Sequence, residues 1–245
     1  MINEPTIEKL NALRLEGMRA AWIEQQSAAN NVTLSFDERF AMLVDAEWTH
    51  RDNKRMARTL KEAKLRFGQA CIEAIDYPAK RELDKATIRQ LASCRWVQEH
   101  QAILISGMTG TGKSFVACAL AHQACRKGYR ALYRRASRLF DELKLARADG
   151  TYQRVLARIA RVDVLIVDDF AIAPIADSER RDLLEVLEDR QESRSTIITS
   201  QVDPKHWHDY LSDPTLADAI CDRILSRAHR LVLKGPSRRK DTLNQ

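Results

Sequence analysis

Eight consecutive residues, Gly107-Met108-Thr109-Gly110-Thr111-Gly112-Lys113-Ser114, constrain this chain more than any other stretch. They satisfy G-x-x-x-x-G-K-[ST] at every fixed position, a motif whose context is a strand before it and a helix after it. The apolar run Ala102-Ile103-Leu104-Ile105 supplies the strand, and Phe115 opens a run to Lys127 that suits a helix. Glycines let the backbone curl until several N–H groups face one β-phosphate, and the helix adds the positive end of its dipole. Lys113 contributes a point charge for the β- and γ-phosphates, and the Ser114 hydroxyl a ligand for Mg²⁺. Residues 107–115 are the expected nucleotide cradle.

A second site element lies downstream. Val164-Leu165-Ile166-Val167-Asp168-Asp169 is a wholly apolar run ending in two acids. Such runs are buried parallel strands, and open α/β sheets bind ligands at the carboxyl ends of their strands. Asp168 is therefore expected to hold Mg²⁺, directly or through water, and Asp169 to orient or deprotonate the water that attacks the γ-phosphate. Thr196-Ile197-Ile198-Thr199-Ser200-Gln201 ends in polar, uncharged groups. Gln201, or Ser200 beside it, is the expected hydrogen-bonding partner of the γ-phosphate or the water, although a plain strand-to-turn transition reads the same way.

From about residue 100 strands and helices alternate, which predicts a parallel sheet with helices on both faces. The five predicted strands are Ala102–Ser106, Ala131–Arg134, Val162–Val167, Thr196–Ser200 and Arg230–Leu233. Lys127-Gly128 reads as the end of the phosphate-loop helix, and Ser178 as the opening of a helix bearing Leu183 and Leu187. Asp203-Pro204 and Asp213-Pro214 each place a cap before a first-turn proline. Residues 1–70 read instead as a small all-α domain. Ser35 caps one of its helices with Glu38 at capping-box spacing. Tyr77-Pro78 punctuates the join, Asp84 to Glu99 reads as one helix, and 71–245 is the expected ATPase domain.

A net charge of +6 makes a polyanionic partner plausible, and its distribution says more. Arg51, Lys54, Arg55, Arg58 and Lys61 recur at helical spacings of three and four, with Lys64 and Arg66 beyond them and only Asp52 and Glu62 opposing. Like charges so spaced repel, a cost that nucleic acid would remove; a merely solvated face is the other reading. No run reaches the apolar length of a membrane span, and Met1-Ile2-Asn3-Glu4-Pro5 has no signal-peptide pattern. Five cysteines without a C-x-x-C pair fit a reduced cytoplasmic setting. His206 and His208 lack the further ligands a zinc site needs and read as surface residues.

Arg223 and Arg227 lie one helical turn apart with no acid four residues toward the N-terminus of either. The expected partner is an anion from outside their helix. In a ring or filament ATPase it is the γ-phosphate of a neighbouring subunit, met by an arginine finger. Ordinary surface arginines or DNA contacts are the other readings.

Together the phosphate loop, Asp168-Asp169, Thr199-Ser200-Gln201 and Asp222-Arg223-Ile224 resemble the AAA+ ATPases of the DnaA/DnaC branch. More closely, Leu13-Arg14-Leu15-Glu16-Gly17-Met18, Leu34-Ser35-Phe36-Asp37-Glu38-Arg39, Glu47-Trp48 and Arg194 to Ser200 are similar to IstB-type transposition helper ATPases of bacterial insertion sequences. The likeness covers nearly the whole chain. It implies an AAA+ P-loop core behind a helical N-terminal domain. The implied activity is that of an ATPase stimulated by DNA and self-assembly, which oligomerises on duplex DNA with little sequence preference and assists a partner transposase. It further implies ATP and Mg²⁺ as cofactors, Gln201 as polar sensor, Arg223 as finger, and DNA contacts from Arg134 and Arg135. Two departures stand out. Phe170-Ala171 replaces the usual Leu-Gly after the acidic pair, stiffening that turn, and Arg238 stands where the family carries tyrosine. The chain ends soon after its fifth strand, so no full helical lid is expected. A replicative helicase loader and a non-hydrolysing DNA scaffold are the competing functions.

Overall fold

The computed structural model describes residues 4–27 and 34–237, and Arg238 and Arg239 fall outside them. In chain order the α-helices are α1 Glu4–Ala12, α2 Glu16–Ser27, α3 Phe36–Ala63, α4 Lys85–Ala92, α5 Arg95–Gln98, α6 Lys113–Arg126, α7 Ala136–Ala148, α8 Tyr152–Ala160, α9 Asp177–Glu188, α10 Trp207–Leu211 and α11 Pro214–Leu225. The strands are β1 Ala102–Gly107, β2 Ala131–Arg135, β3 Val164–Phe170, β4 Ser195–Ser200 and β5 Ala228–Leu233. The chain forms two compact units, Met1–Arg58 and Thr59–Gln245, so the division falls within α3 and ahead of residue 70. The reason is packing: Ala63 and Ala70 are buried in the same cluster as β1 and α6, and Leu60 and Leu65 pack against it.

In the first unit α2 and α3 meet through Gly17. A Cβ there would come within 2.6 Å of the Ala46 carbonyl oxygen, so only glycine permits so close a crossing. Glu47 then accepts the Met18 N–H. At the start of α3 the capping box forms as the spacing predicts. The Ser35 hydroxyl accepts from the Glu38 N–H at 3.3 Å, and the Glu38 carboxylate from the Ser35 N–H at 2.8 Å.

In the second unit five parallel strands run in the order β2-β3-β4-β1-β5. Period-two geometry sends alternate side chains to opposite faces. Ile103, Ile105, Val164 and Ile166 face α4, α5 and α6, whereas Leu104, Leu165 and Val167 face α7 to α11. Ala117, Ala119, Ala121 and Ala124 let α6 lie close on the sheet. The thiols of α6, Cys118 and Cys125, are pushed up to about 11 by burial and remain free.

Local structure departs from expectation at three places. Residues 85–98 form two helices, because Cys94 turns left-handed (φ 60) and buries Trp96, whose indole N–H donates to the Leu91 carbonyl. Helix α9 is preceded by Ala176, not capped by Ser178; the Glu179 carboxylate accepts the Ala176 N–H. Asp203-Pro204 opens a 3₁₀ turn ahead of α10, while Asp213 caps α11 directly through the Leu216 N–H. Among the described residues no helix follows β5, and none is long and apolar enough to cross a membrane.

Candidate nucleotide site and its charged surroundings

The phosphate loop joins β1 to α6, with Gly112 (φ 92) as the residue before the helix. The left-handed conformation reserves the position for glycine, and a Cβ there would also press on the end of the Arg81 side chain, 2.5 Å away. The Thr111 hydroxyl donates to the Met108 carbonyl at 2.9 Å and pins the turn. Lys113 is buried, its ammonium donating to the carbonyls of Gly107 at 2.7 Å and Met108 at 2.9 Å. Ser114 and Phe115 are half-buried at the start of α6, while Met108 and Thr109 are exposed on the loop. Thr109 and Gln201 meet across the loop, the threonine hydroxyl donating to the Gln201 side-chain oxygen at 2.7 Å.

The acidic pair sits on a backbone irregularity. The β3–β4 register runs from Val167 opposite Ile198 to Phe170 opposite Ser200, leaving an extra residue on β3, and Asp169 has φ 58. Such bulges bend a strand and re-aim its side chains. Here consecutive residues, which a regular strand would send to opposite faces, both come within reach of one guanidinium. Arg66 lies 3.5 Å from Asp168 and 3.6 Å from Asp169. Phe170 anchors the far side, fully buried and edge-on to Trp207 and Tyr210. Ala171 follows at φ 60, a left-handed conformation that costs a Cβ-bearing residue about 1 kcal/mol.

Asp168 is completely buried yet well satisfied. The Thr199 hydroxyl donates to its Oδ1 at 2.5 Å and the Tyr133 hydroxyl to its Oδ2 at 2.6 Å. Burial, then the hydrogen bond to Asp168, pushes the Tyr133 phenol far up, so it stays a donor. Thr199 also accepts the Asp169 N–H at 3.0 Å, which ties both acids to the end of β4. The half-exposed Arg135 guanidinium lies 3.6 Å from Asp169.

Thr199, Tyr133 and Arg66 were not singled out as site residues by the sequence. Polar groups near the ends of β2 and β4 were visible, but choosing Thr199 over Ser200 or Gln201 requires the β3–β4 register and its bulge.

The other predicted residues separate into two groups. Arg223 and Arg227 lie at the opposite edge of the sheet, lining a cleft with Ala102 and Thr196 at the starts of β1 and β4. A six-residue strand spans about 20 Å, so Arg223 cannot serve the phosphate loop of its own chain. Its expected external anion has a counterpart within the chain: the Arg223 guanidinium donates to Glu188 on α9 at 2.7 Å and to the Ala219 carbonyl at 2.9 Å. Arg227 is exposed. The candidate DNA contacts also find carboxylates. Arg51 pairs with Glu47, Lys54 with Glu16 and Arg55 with Asp52, so the like-charge cost inferred from the sequence is partly offset inside the molecule. Arg58 and Lys61 are exposed, and Arg134 is turned to Glu142 at 2.9 Å. The two pairs exposed on both sides, Lys54–Glu16 and Arg55–Asp52, are worth at most about 1 kcal/mol each and exchange readily, whereas Glu47 and Arg134 are largely buried.

This donor set fits a nucleoside triphosphate with a hard divalent cation. Among the described residues no group of three or more His, Cys, Asp or Glu gathers in one place. Magnesium characteristically takes one or two protein ligands and fills its sphere with phosphate oxygens and water. Ser114 and Asp168 would hold it, and Lys113 with the loop N–H groups would hold the phosphates.

Residues 8–245 match the family of IstB-like ATP binding proteins. The chain belongs to that family. It is 44% identical over 241 residues to an insertion sequence ATP-binding protein of Sinorhizobium fredii, covering 98% of each chain. It is also 47% identical over 202 residues to the ATP-binding protein of an insertion sequence from Pseudomonas fluorescens, covering 82% of this chain and 87% of the relative. In architecture the IstB-like chain is similar to the DnaC helicase loader (TM-score 0.58, 22% identity, 69% of this chain and 99% of that one). It is similar too to DnaA from Aquifex aeolicus (TM-score 0.55, 16% identity, 72% of this chain and 55% of that one). These two likenesses establish an AAA+ P-loop fold and nothing finer.

Proposed function

We propose that the chain is a Mg²⁺-dependent ATPase that oligomerises on duplex DNA and assists the transposase of its own insertion sequence. The observation that carries the hydrolytic reading is the bulge at the end of β3, with Asp168 and Asp169 drawn to one guanidinium and tied by Thr199. A scaffold that only stored nucleotide would not need a second, partly exposed acid beside the metal ligand. Membership of an insertion-sequence family supports the transposase partner over a helicase. The basic face of α3 supports DNA. Exposed Phe36, Phe40, Val44 and Trp48, recurring every four residues along the same helix, support assembly.

In this reading Lys113 and the loop amides fix the phosphates, and Asp168 is held as an acceptor by Thr199 and Tyr133. Asp169 orients the attacking water and accepts its proton. Bound magnesium would neutralise charge on the phosphate oxygens. Arg223 leaves Glu188 for the γ-phosphate of an adjacent subunit, which explains why it lies an entire strand length from its own loop. Thr109 and Gln201, hydrogen-bonded across the chain's own phosphate loop, sense the γ-phosphate bound there.

The test is phosphate release and MgATP affinity of Asp169→Asn. It should retain nucleotide binding while turnover falls about 10²–10⁴-fold. Turnover at the parent rate would end the water-activating role. Duplex affinity should fall steeply with salt, by a log–log slope of about −0.9 per phosphate contacted, and depend on ATP. An affinity indifferent to both would remove DNA as the partner.

A further inference from the structure

Arg66 ends the basic run that begins on α3, yet its side chain points the other way from its neighbours. Lys61 and Lys64 are exposed, Lys64 ending the helix in a left-handed turn (φ 51), and Leu65 packs against the core. Arg66 turns inward, its side chain 28% exposed, and reaches Asp168 at 3.5 Å and Asp169 at 3.6 Å. Its guanidinium lies over the Phe67 ring at 5.3 Å, and Phe67 packs on Phe115, the residue after Ser114. One arginine therefore touches the acidic pair, rests on the start of the phosphate-loop helix, and belongs to the run of positive charge that faces solvent.

Both contacts are longer than the 2.7–2.9 Å of a tight charge-assisted bond. They are loose enough to exchange for a phosphate, which matches a guanidinium's fork as well as a carboxylate does. While the contact lasts, an Asp169 oxygen facing Arg66 is not available to orient a water along that direction.

We infer that Arg66 is a brake in cis on the acidic pair, released when backbone phosphates of duplex DNA engage Lys61, Lys64 and Arg66 itself. The inference rests on the proposed hydrolytic role of Asp169 and adds the means by which a polyanion raises the rate. Arg66 acts here as a positioning residue: it sets where Asp169 points and touches no reacting atom.

The experiment is steady-state phosphate release by the full chain, with and without a saturating linear duplex, for the parent, Arg66→Ala, Arg66→Lys and Asp169→Asn. Arg66→Ala should raise the DNA-free rate about three- to tenfold and leave the DNA-saturated rate near the parent's, so the stimulation ratio falls by the same factor. Arg66→Lys, which keeps the charge, should retain most of the ratio. MgATP affinity should be unchanged in both. A DNA-free rate at or below the parent's, or an unchanged stimulation ratio, would overturn the brake. Should Arg66→Ala not fold, Arg66→Gln keeps the stem over Phe67 and is read by the same criteria. Asp169→Asn separates the two claims: if it is inert while Arg66→Ala is no faster than the parent, only the brake fails. If Asp169→Asn turns over normally, the reading beneath it fails first.

Discussion

The two edges of the sheet use arginine in opposite ways. At the carboxyl edge, Arg66 and Arg135 stand 3.5–3.6 Å from carboxylates they hold loosely. At the amino edge, Arg190 is fully buried, with no carboxylate in contact among the described residues. Its guanidinium donates to the carbonyls of Ile159, Val162 and Ser195 and to the Thr196 hydroxyl. The first arrangement exchanges partners easily, and the second is structural because all three guanidinium nitrogens donate to backbone carbonyls or a neighbouring hydroxyl. Arg223 lies between these extremes, on the same edge as Arg190 but held by the half-exposed carboxylate of Glu188. Position along a strand does not tell whether an arginine is mobile; the chemistry of what it touches does.

Three substitutions test that contrast, in order of expected effect. Arg223→Ala should cost about 10³-fold or more in turnover of the assembled protein while leaving ATP affinity intact. Mixing it with Lys113→Ala subunits should restore part of the activity, because each intact loop then meets an intact arginine from a neighbour. A mixture as inactive as its components would return Arg223 to the structural class of Arg190. Arg190→Met should lower stability by about 3 kcal/mol, since it leaves buried carbonyls without donors. By calorimetry that is a fall of about 6–12 °C in Tm for a chain of this size. An unchanged Tm would erase the distinction between the edges. Tyr133→Phe removes one donor from Asp168 while Thr199 remains. Turnover should fall by up to about tenfold, the worth of roughly one hydrogen bond to a charged group, with little change in Tm.

The phosphate loop and the acidic strand end were legible because each needs only local spacing. G-x-x-x-x-G-K-[ST] has a single plausible geometry, and an apolar run closing in two acids orients itself on the sheet. The helical N-terminal region was legible for the same reason, and Gly17, noticed only as part of a family pattern, proved to sit at the α2–α3 crossing. The polar end of β4 was harder. Gln201 does face the phosphate loop through Thr109, but the residue binding both acids is Thr199, two positions earlier. The basic run misled in one respect: setting only Asp52 and Glu62 against it left out Glu16 and Glu47, which come from α2 and from one turn earlier on α3.

By itself the sequence determined the five parallel strands, the phosphate loop between strand and helix, the presence of two acids at a strand end and the helical character of most of the described residues up to Ala63. Each follows from residue type at short range, through backbone freedom, periodicity or capping. Tertiary structure decided which side chains face those acids. The extra residue on β3 turns Asp169 beside Asp168, and the exit from α3 brings Arg66 across more than a hundred positions to meet them. Contacts of that range depend on strand register and packing, which no local pattern encodes.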